Sequence, residues 1–157
     1  TTAVLQDEGL LDELSPRANV RLALRAAGRS PKLDLALLAQ AGLPEPPADV
    51  ASLSGGMRKR VGIARAIALR PRYILWDEPT TGPDPVTSAT MDRLMRRTAE
   101  AYGVTSVVVT HDMRSAFTVA DRIAMLHQGT LRTVGTVAEI QATEDPVVRQ
   151  FIEGRPE

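Results

Sequence analysis

The 157-residue chain has no cysteine. Disulfides, thiol catalysis and zinc–thiolate sites are therefore excluded. A cytosolic setting is compatible with that composition. Charge of one sign is also missing, since 19 basic residues balance 19 acidic ones. No global field points to nucleic acid or to an anionic membrane surface. No apolar run approaches the roughly 20 residues that a membrane-spanning helix requires, so any membrane connection is expected to run through a partner. No signal-peptide pattern opens the sequence. Lysine is scarce, with Lys32 and Lys59 against 17 arginines. Both ends read as cut edges of something longer: Thr1 to Leu5 is already strand-like, and Phe151 to Glu157 stops in a loop-like stretch.

What is present suits a soluble globular domain, with 43% hydrophobic and 24% charged residues and a length sufficient for a sizeable core. The first third reads as helical. Asn19 to Ala27 forms a helix closed by Gly28. Ser30-Pro31 fits an N-cap followed by proline at the first helical position. Leu33, Ala36, Leu37 and Ala41 supply an amphipathic stripe, and Gly42 supplies its stop. Leu43 to Asp49 holds three prolines and reads as a loop.

After Ser54 helices and strands alternate. Gly56 to Leu69 reads as a helix, and Tyr73 to Trp76 as a buried strand running into Asp77-Glu78. A helix follows from about Val86 to Gly103. Thr105 to Val109 is another buried strand, and Met113 to Ala120 shows helical spacing. Arg122 to Leu126 and Thr130 to Val134 form a hairpin across His127-Gln128-Gly129. Thr136 to Ala142 and Val147 to Ile152 are short helices. Such alternation implies a mostly parallel sheet covered by helices.

Three places carry chemistry. Tyr73 to Glu78 delivers two adjacent carboxylates to a strand's C-terminal end, where ligands bind in open α/β sheets. Neighbouring strand side chains point opposite ways. One acid can therefore serve a hydrated Mg²⁺ and the other a reacting water. The plain alternative is a pair of solvated acids. Leu53-Ser54-Gly55-Gly56-Met57 opens a helix, and its free N–H groups and dipole make an anion site. Alone it is also an ordinary glycine-rich cap. Arg58, Lys59 and Arg60 in the first helical turn oppose the dipole, which makes more sense if they face a polyphosphate. His111 follows a strand end, and Asp84 before Pro85 reads by itself as an N-cap. His127 reads as plain surface.

Together these segments resemble the ATPase subunits of ABC transporters. Leu53 to Met57 looks like the signature motif and Ile74 to Glu78 like Walker B with the catalytic glutamate. Thr81-Gly82-Pro83-Asp84-Pro85 looks like the D-loop, and Val109-Thr110-His111-Asp112 like the switch-histidine loop. Gln6 falls where the family has its Q-loop. The resemblance implies an α/β P-loop NTPase (RecA-like) core with an incomplete parallel sheet, plus an α-helical subdomain. It assigns 1–9 to the Q-loop strand and core edge, 10–52 to the helical subdomain, and 53–157 to the signature helix and the rest of the core.

The resemblance also implies roles. Asp77 would hold Mg²⁺ through water, Glu78 would act as general base, and His111 would contact the γ-phosphate. Gln6 would sense Mg²⁺ and the transmembrane partner. Ser54, Gly55 and Gly56 would contact ATP bound mainly by a second ATPase subunit in a head-to-tail dimer, and Asp84 would link the two sites. Permease subunits would hold the protein peripherally at the cytoplasmic face of the inner membrane. No nucleic acid is implied.

Three departures stand out. The phosphate-binding loop needs Gly-Lys followed by Ser or Thr, and neither Lys32 nor Lys59 has that setting. The chain alone is therefore expected to bind ATP weakly and not to hydrolyse it. Pro83 replaces the usual leucine of the D-loop, and Trp76 is bulkier than the usual residue before Asp77.

Met57, Gly135 to Gln141 and Asp145 to Gly154 look like the Mce-type (Mla) lipid-trafficking subgroup, in which an Mce-type substrate-binding protein is a further partner. A generic amphipathic helix explains the last stretch equally. The alternative is an importer ATPase for amino acids or other small solutes. A non-transport ABC protein would show a coiled-coil insertion or a tandem module, and neither is visible.

Overall fold

The computed structural model describes residues 1–4, 9–80 and 85–154, and only the backbone of Ala3 and Val4. They divide into two compact units, Thr1–His111 and Asp112–Glu157.

The first unit opens with strand β1 (Thr2–Val4) and helix α1 (Pro16–Ala26). Ser15 caps α1, accepting from the Ala18 N–H at 3.2 Å, and Pro16 takes the first helical position. The helix thus starts three residues before the expected Asn19, because Ser15-Pro16 supplies the same cap-and-proline signal that was recognised at Ser30-Pro31. A short 3₁₀ turn at Pro31–Leu33 leads into α2 (Asp34–Gln40), and Gly42 follows with φ +81. Half of the expected stripe on α2 holds, since Leu37 and Ala41 are buried, but Leu33 and Ala36 are exposed. Asp34, Leu37, Leu38 and Ala41 are the buried residues, whereas Leu33 is 37% exposed. The phase is set by a carboxylate: Asp34 turns inward and accepts from Arg17 and Arg21, each at 2.8 Å.

Helix α3 (Gly55–Ala68) is the central element of this unit, packing on α1, α2 and β1. Its second half, Val61 to Ala64 and Ala66 to Ala68, is buried. Each fully buried Val, Ile or Leu here contributes about 1.5–3 kcal/mol. Arg29 donates to the Ala68 carbonyl at 2.9 Å, placing a cation on the helix's carbonyl end.

Strands β1, β2 (Tyr73–Asp77) and β3 (Thr105–Val109) form one parallel sheet in the order β1-β2-β3. Helix α4 (Pro85–Tyr102) connects β2 to β3 and buries Ser88, Met91, Asp92, Met95 and Thr98, one stripe at helical spacing. Gly103 ends it with φ +60. Strands β2 and β3 differ from expectation. They alternate rather than being buried throughout: Ile74 and Trp76 are buried, while Tyr73, Leu75, Val107 and Val109 are 41–57% exposed. One sheet face is therefore packed and the other open. Trp76 fits the packed face at 1% exposure, but its indole N–H has no acceptor.

The second unit begins with α5 (Met113–Val119), capped by Asp112, and continues with strands β4 (Arg122–His127) and β5 (Thr130–Thr136). These pair antiparallel, with His127 opposite Thr130. Gln128 and Gly129 between them have φ of 48 and 76, the left-handed pair that a two-residue hairpin needs. Helix α6 (Val137–Gln141) opens with a capping box between Thr136 and Glu139, and α7 (Pro146–Glu153) with Asp145 as its cap. No described helix is long and apolar enough to cross a membrane.

Candidate nucleotide site

Parallel pairing puts the C-terminal ends of β2 and β3 side by side, with Asp77 opposite Val109. The ladder runs one step further, as the Glu78 N–H donates to the Val109 carbonyl at 2.9 Å. Glu78 itself has φ 46. A side chain in that left-handed region costs about 1–2 kcal/mol, so the surroundings must hold it there. The turn swings the Glu78 carboxylate to His111, whose Nδ1 lies 2.9 Å from Oε1. An ionised carboxylate only accepts, so in this contact Nδ1 carries the proton. The His111 side chain is 71% exposed and that of Glu78 22%. Asp77 is exposed. The pairing of β2 with β3 thus brings Glu78 and His111 into contact across 33 positions.

At the start of α3, Ser54 accepts from the Met57 N–H at 3.3 Å, and Ser54 and Gly55 are exposed. A side chain added at Gly55 would meet nothing within 4 Å, and one added at Gly56 would touch Thr87 of α4 at 3.9 Å. The helix opening is therefore accessible, and its N–H groups suit an oxyanion. Arg58, Lys59 and Arg60 do not gather there. Arg58 pairs with Asp12 at 3.2 Å, Lys59 donates to the Pro79 carbonyl at 2.7 Å, and Arg60 donates to the Gly42 carbonyl at 2.5 Å. Successive helical positions fan out by about 100° each, so three adjacent cations cannot share one face. That geometric rule was available from the sequence. The carbonyls they reach were not.

Gln6 and Asp84 lie outside the described residues, as do Thr81, Gly82 and Pro83. Among the described residues no group of three or more His, Cys, Asp or Glu is placed to hold a metal. Mg²⁺ keeps several waters and takes one or two carboxylates together with phosphate oxygens, so a site for it needs no such group. The exposed Asp77 carboxylate is a donor of that type, whereas the helix start offers N–H groups, which suit phosphate oxygens and not the ion.

An acid-bearing parallel strand end, a histidine just past the end of the neighbouring strand and a glycine-led helix start make up the candidate site. The chain belongs to the ABC transporter family, whose model matches residues 1–81. It is similar to the intermembrane phospholipid transport system ATP-binding protein MlaF of Escherichia coli, 43% identical over 102 residues, covering 65% of this chain and 38% of MlaF. It is also similar to the methionine import ATP-binding protein MetN of Xanthomonas campestris, 36% identical over 156 residues, covering 95% of this chain and 46% of MetN. The chain thus spans less than half the length of either relative. The ATP-binding cassette MJ0796, solved as a post-hydrolysis dimer bound to ADP and Pi, superposes with a TM-score of 0.75 at 34% identity. That match covers 86% of this chain and 62% of MJ0796. The fold is that of an ABC ATPase cassette of the P-loop NTPase class.

Proposed function

We propose that this chain is the signature-bearing part of the ATP-hydrolysing subunit of an ABC transporter, coupling hydrolysis to transport. The observation that carries the reading is the Glu78–His111 contact at the C-terminal edge of the parallel sheet. Glu78 is the general base for the attacking water. The His111 Nδ1–H orients its carboxylate, and Nε2 faces the γ-phosphate. Asp77 would hold Mg²⁺ through water, and the ion when bound offsets phosphate charge. Ser54, Gly55 and Gly56 receive the γ-phosphate of ATP held by a second subunit. Gln6 and Asp84 keep the roles that the family resemblance gives them, and the segments 1–9, 10–52 and 53–157 are the working divisions.

No Gly-Lys-Ser/Thr occurs in the 157 residues. The chain by itself is therefore proposed to bind ATP weakly and to turn none over. The wider partners are permease subunits at the cytoplasmic face of the membrane. In the intact gene product with its permease, ATP turnover that Glu78→Gln abolishes supports the reading. Undiminished turnover in that variant overturns it.

For the cargo we favour lipid. The 43% identity to MlaF and the helix capped by Asp145 support it, with an Mce-type protein as a further partner. The second reading is a small-solute importer, favoured by the longer match to MetN, over 95% of this chain. ATP-dependent phospholipid exchange between reconstituted membranes, compared with methionine uptake, separates the two.

A further inference from the structure

We infer that Lys59 is a positioning residue that ties the signature helix to the catalytic-glutamate segment of the same chain, so that each nucleotide site reports to the other. The inference rests on the ATPase reading above. Three successive residues are held from three different elements. The Glu78 N–H is fixed by Val109 of β3 at 2.9 Å, and the Pro79 carbonyl by Lys59 of α3 at 2.7 Å. The Thr80 carbonyl is bonded by Ser88 of α4 at 3.4 Å. Pro79 and Thr80 are buried, so water does not readily replace these donors. Glu78 sits between the first two clamps at φ 46. A residue in a sparsely populated conformation persists only when its surroundings over-determine it. The Lys59 bond is charge-assisted and hence the strongest kind available to a carbonyl.

Lys59 lies one turn into α3, whose opening residues Ser54, Gly55 and Gly56 face outward toward a partner's nucleotide. A shift of that helix end moves the ammonium, the Pro79 carbonyl and then the Glu78 carboxylate relative to His111. The helix end thus reads one ATP site and the glutamate serves the other. Composition marks the position too, because Lys59 is one of two lysines in the chain. Arginine is the basic residue used nearly everywhere else.

The test uses the intact gene product with its permease. Lys59→Met keeps the apolar stem and removes the donor. The expected result is a fall in kcat on the order of tenfold, from misplacement of the base. KM for ATP should stay within about twofold, because the residue acts on geometry rather than on uniform binding. The Hill coefficient for ATP should drop toward one. Lys59→Arg, which still donates, should restore most of kcat. If Lys59→Met does not fold, the donor-free Lys59→Leu carries the same test. Unchanged kcat and Hill coefficient, in a preparation where Glu78→Gln still abolishes turnover, overturn the inference while leaving the ATPase reading standing. Loss of kcat with an unchanged Hill coefficient also overturns it. Turnover that survives Glu78→Gln instead overturns the ATPase reading itself.

Discussion

Two carboxylates set the helical region and the sheet edge apart. Asp34 in the helical region is 1% exposed, and Arg17 and Arg21 both reach it at 2.8 Å. Burial works to raise its pKa, but the Arg17 hydrogen bond, the Leu35 N–H and the two guanidinium charges outweigh that and hold it below the ordinary carboxylate range. Its backbone lies in ordinary helix. Glu78 at the sheet edge is partly exposed, has a left-handed backbone and reaches one exposed histidine. Polar groups that are buried and fully partnered hold a fold together. A strained, accessible acid at a strand end costs stability and is kept for chemistry. Asn19 belongs with Asp34: it is 1% exposed and bonds the Leu11 N–H and the carbonyls of Leu11, Leu14 and Ser15.

Matched substitutions break or sharpen this contrast. The largest effect is expected from Glu78→Gln, which should cut ATP turnover of the intact protein by about 10²–10⁴-fold. Its urea midpoint should stay the same or rise. Next, Asn19→Ala should lower stability by about 3 kcal/mol, because several buried backbone groups lose their partner together. Turnover per folded molecule should be kept. Asp34→Asn, the same chemical change as at Glu78, should lower stability by about 1–2 kcal/mol. The two half-exposed arginines screen part of the ion-pair loss. Equal effects of the two carboxylate-to-amide changes on turnover would erase the distinction.

Gly42→Ala should cost about 1 kcal/mol, since its φ is +81 and a methyl would sit 2.6 Å from Arg60 Nη1. The smallest effect is pH dependence. Because the Asp34 pKa is lowered on folding, its contribution is complete above the ordinary carboxylate range and fades as pH falls from about 4 downward. The stability loss between pH 5 and 3 should be visibly shallower in Asp34→Asn than in the parent protein.

Much of the site was legible along the chain because it depends on local order. Strand-ending acids, a glycine-led cap and a histidine after a strand are short patterns, and each sits where the reading put it, apart from Gln6 and Asp84 outside the described residues. Element types were legible for the same reason, since Ser30, Ser54, Gly28, Gly42 and Gly103 mark starts and stops by local backbone chemistry. Errors fell where a distant partner decided. The stripe of α2 is set by Arg17 and Arg21, half a helical subdomain away in sequence. The open face of β2 and β3 depends on what packs against the sheet, which an apolar run cannot say. The three basic residues of α3 have targets at Asp12, Gly42 and Pro79, chosen by how helices and strands meet.

The four ordered motifs pointed to the family from sequence alone. Such features need only the identity and spacing of nearby residues. Tertiary structure alone decided that His111 meets Glu78, that Glu78 is bent into a left-handed turn, and that Lys59 reaches Pro79. Each of those depends on which strand ends lie side by side and which helix crosses them. Long-range packing sets that, and no local pattern encodes it.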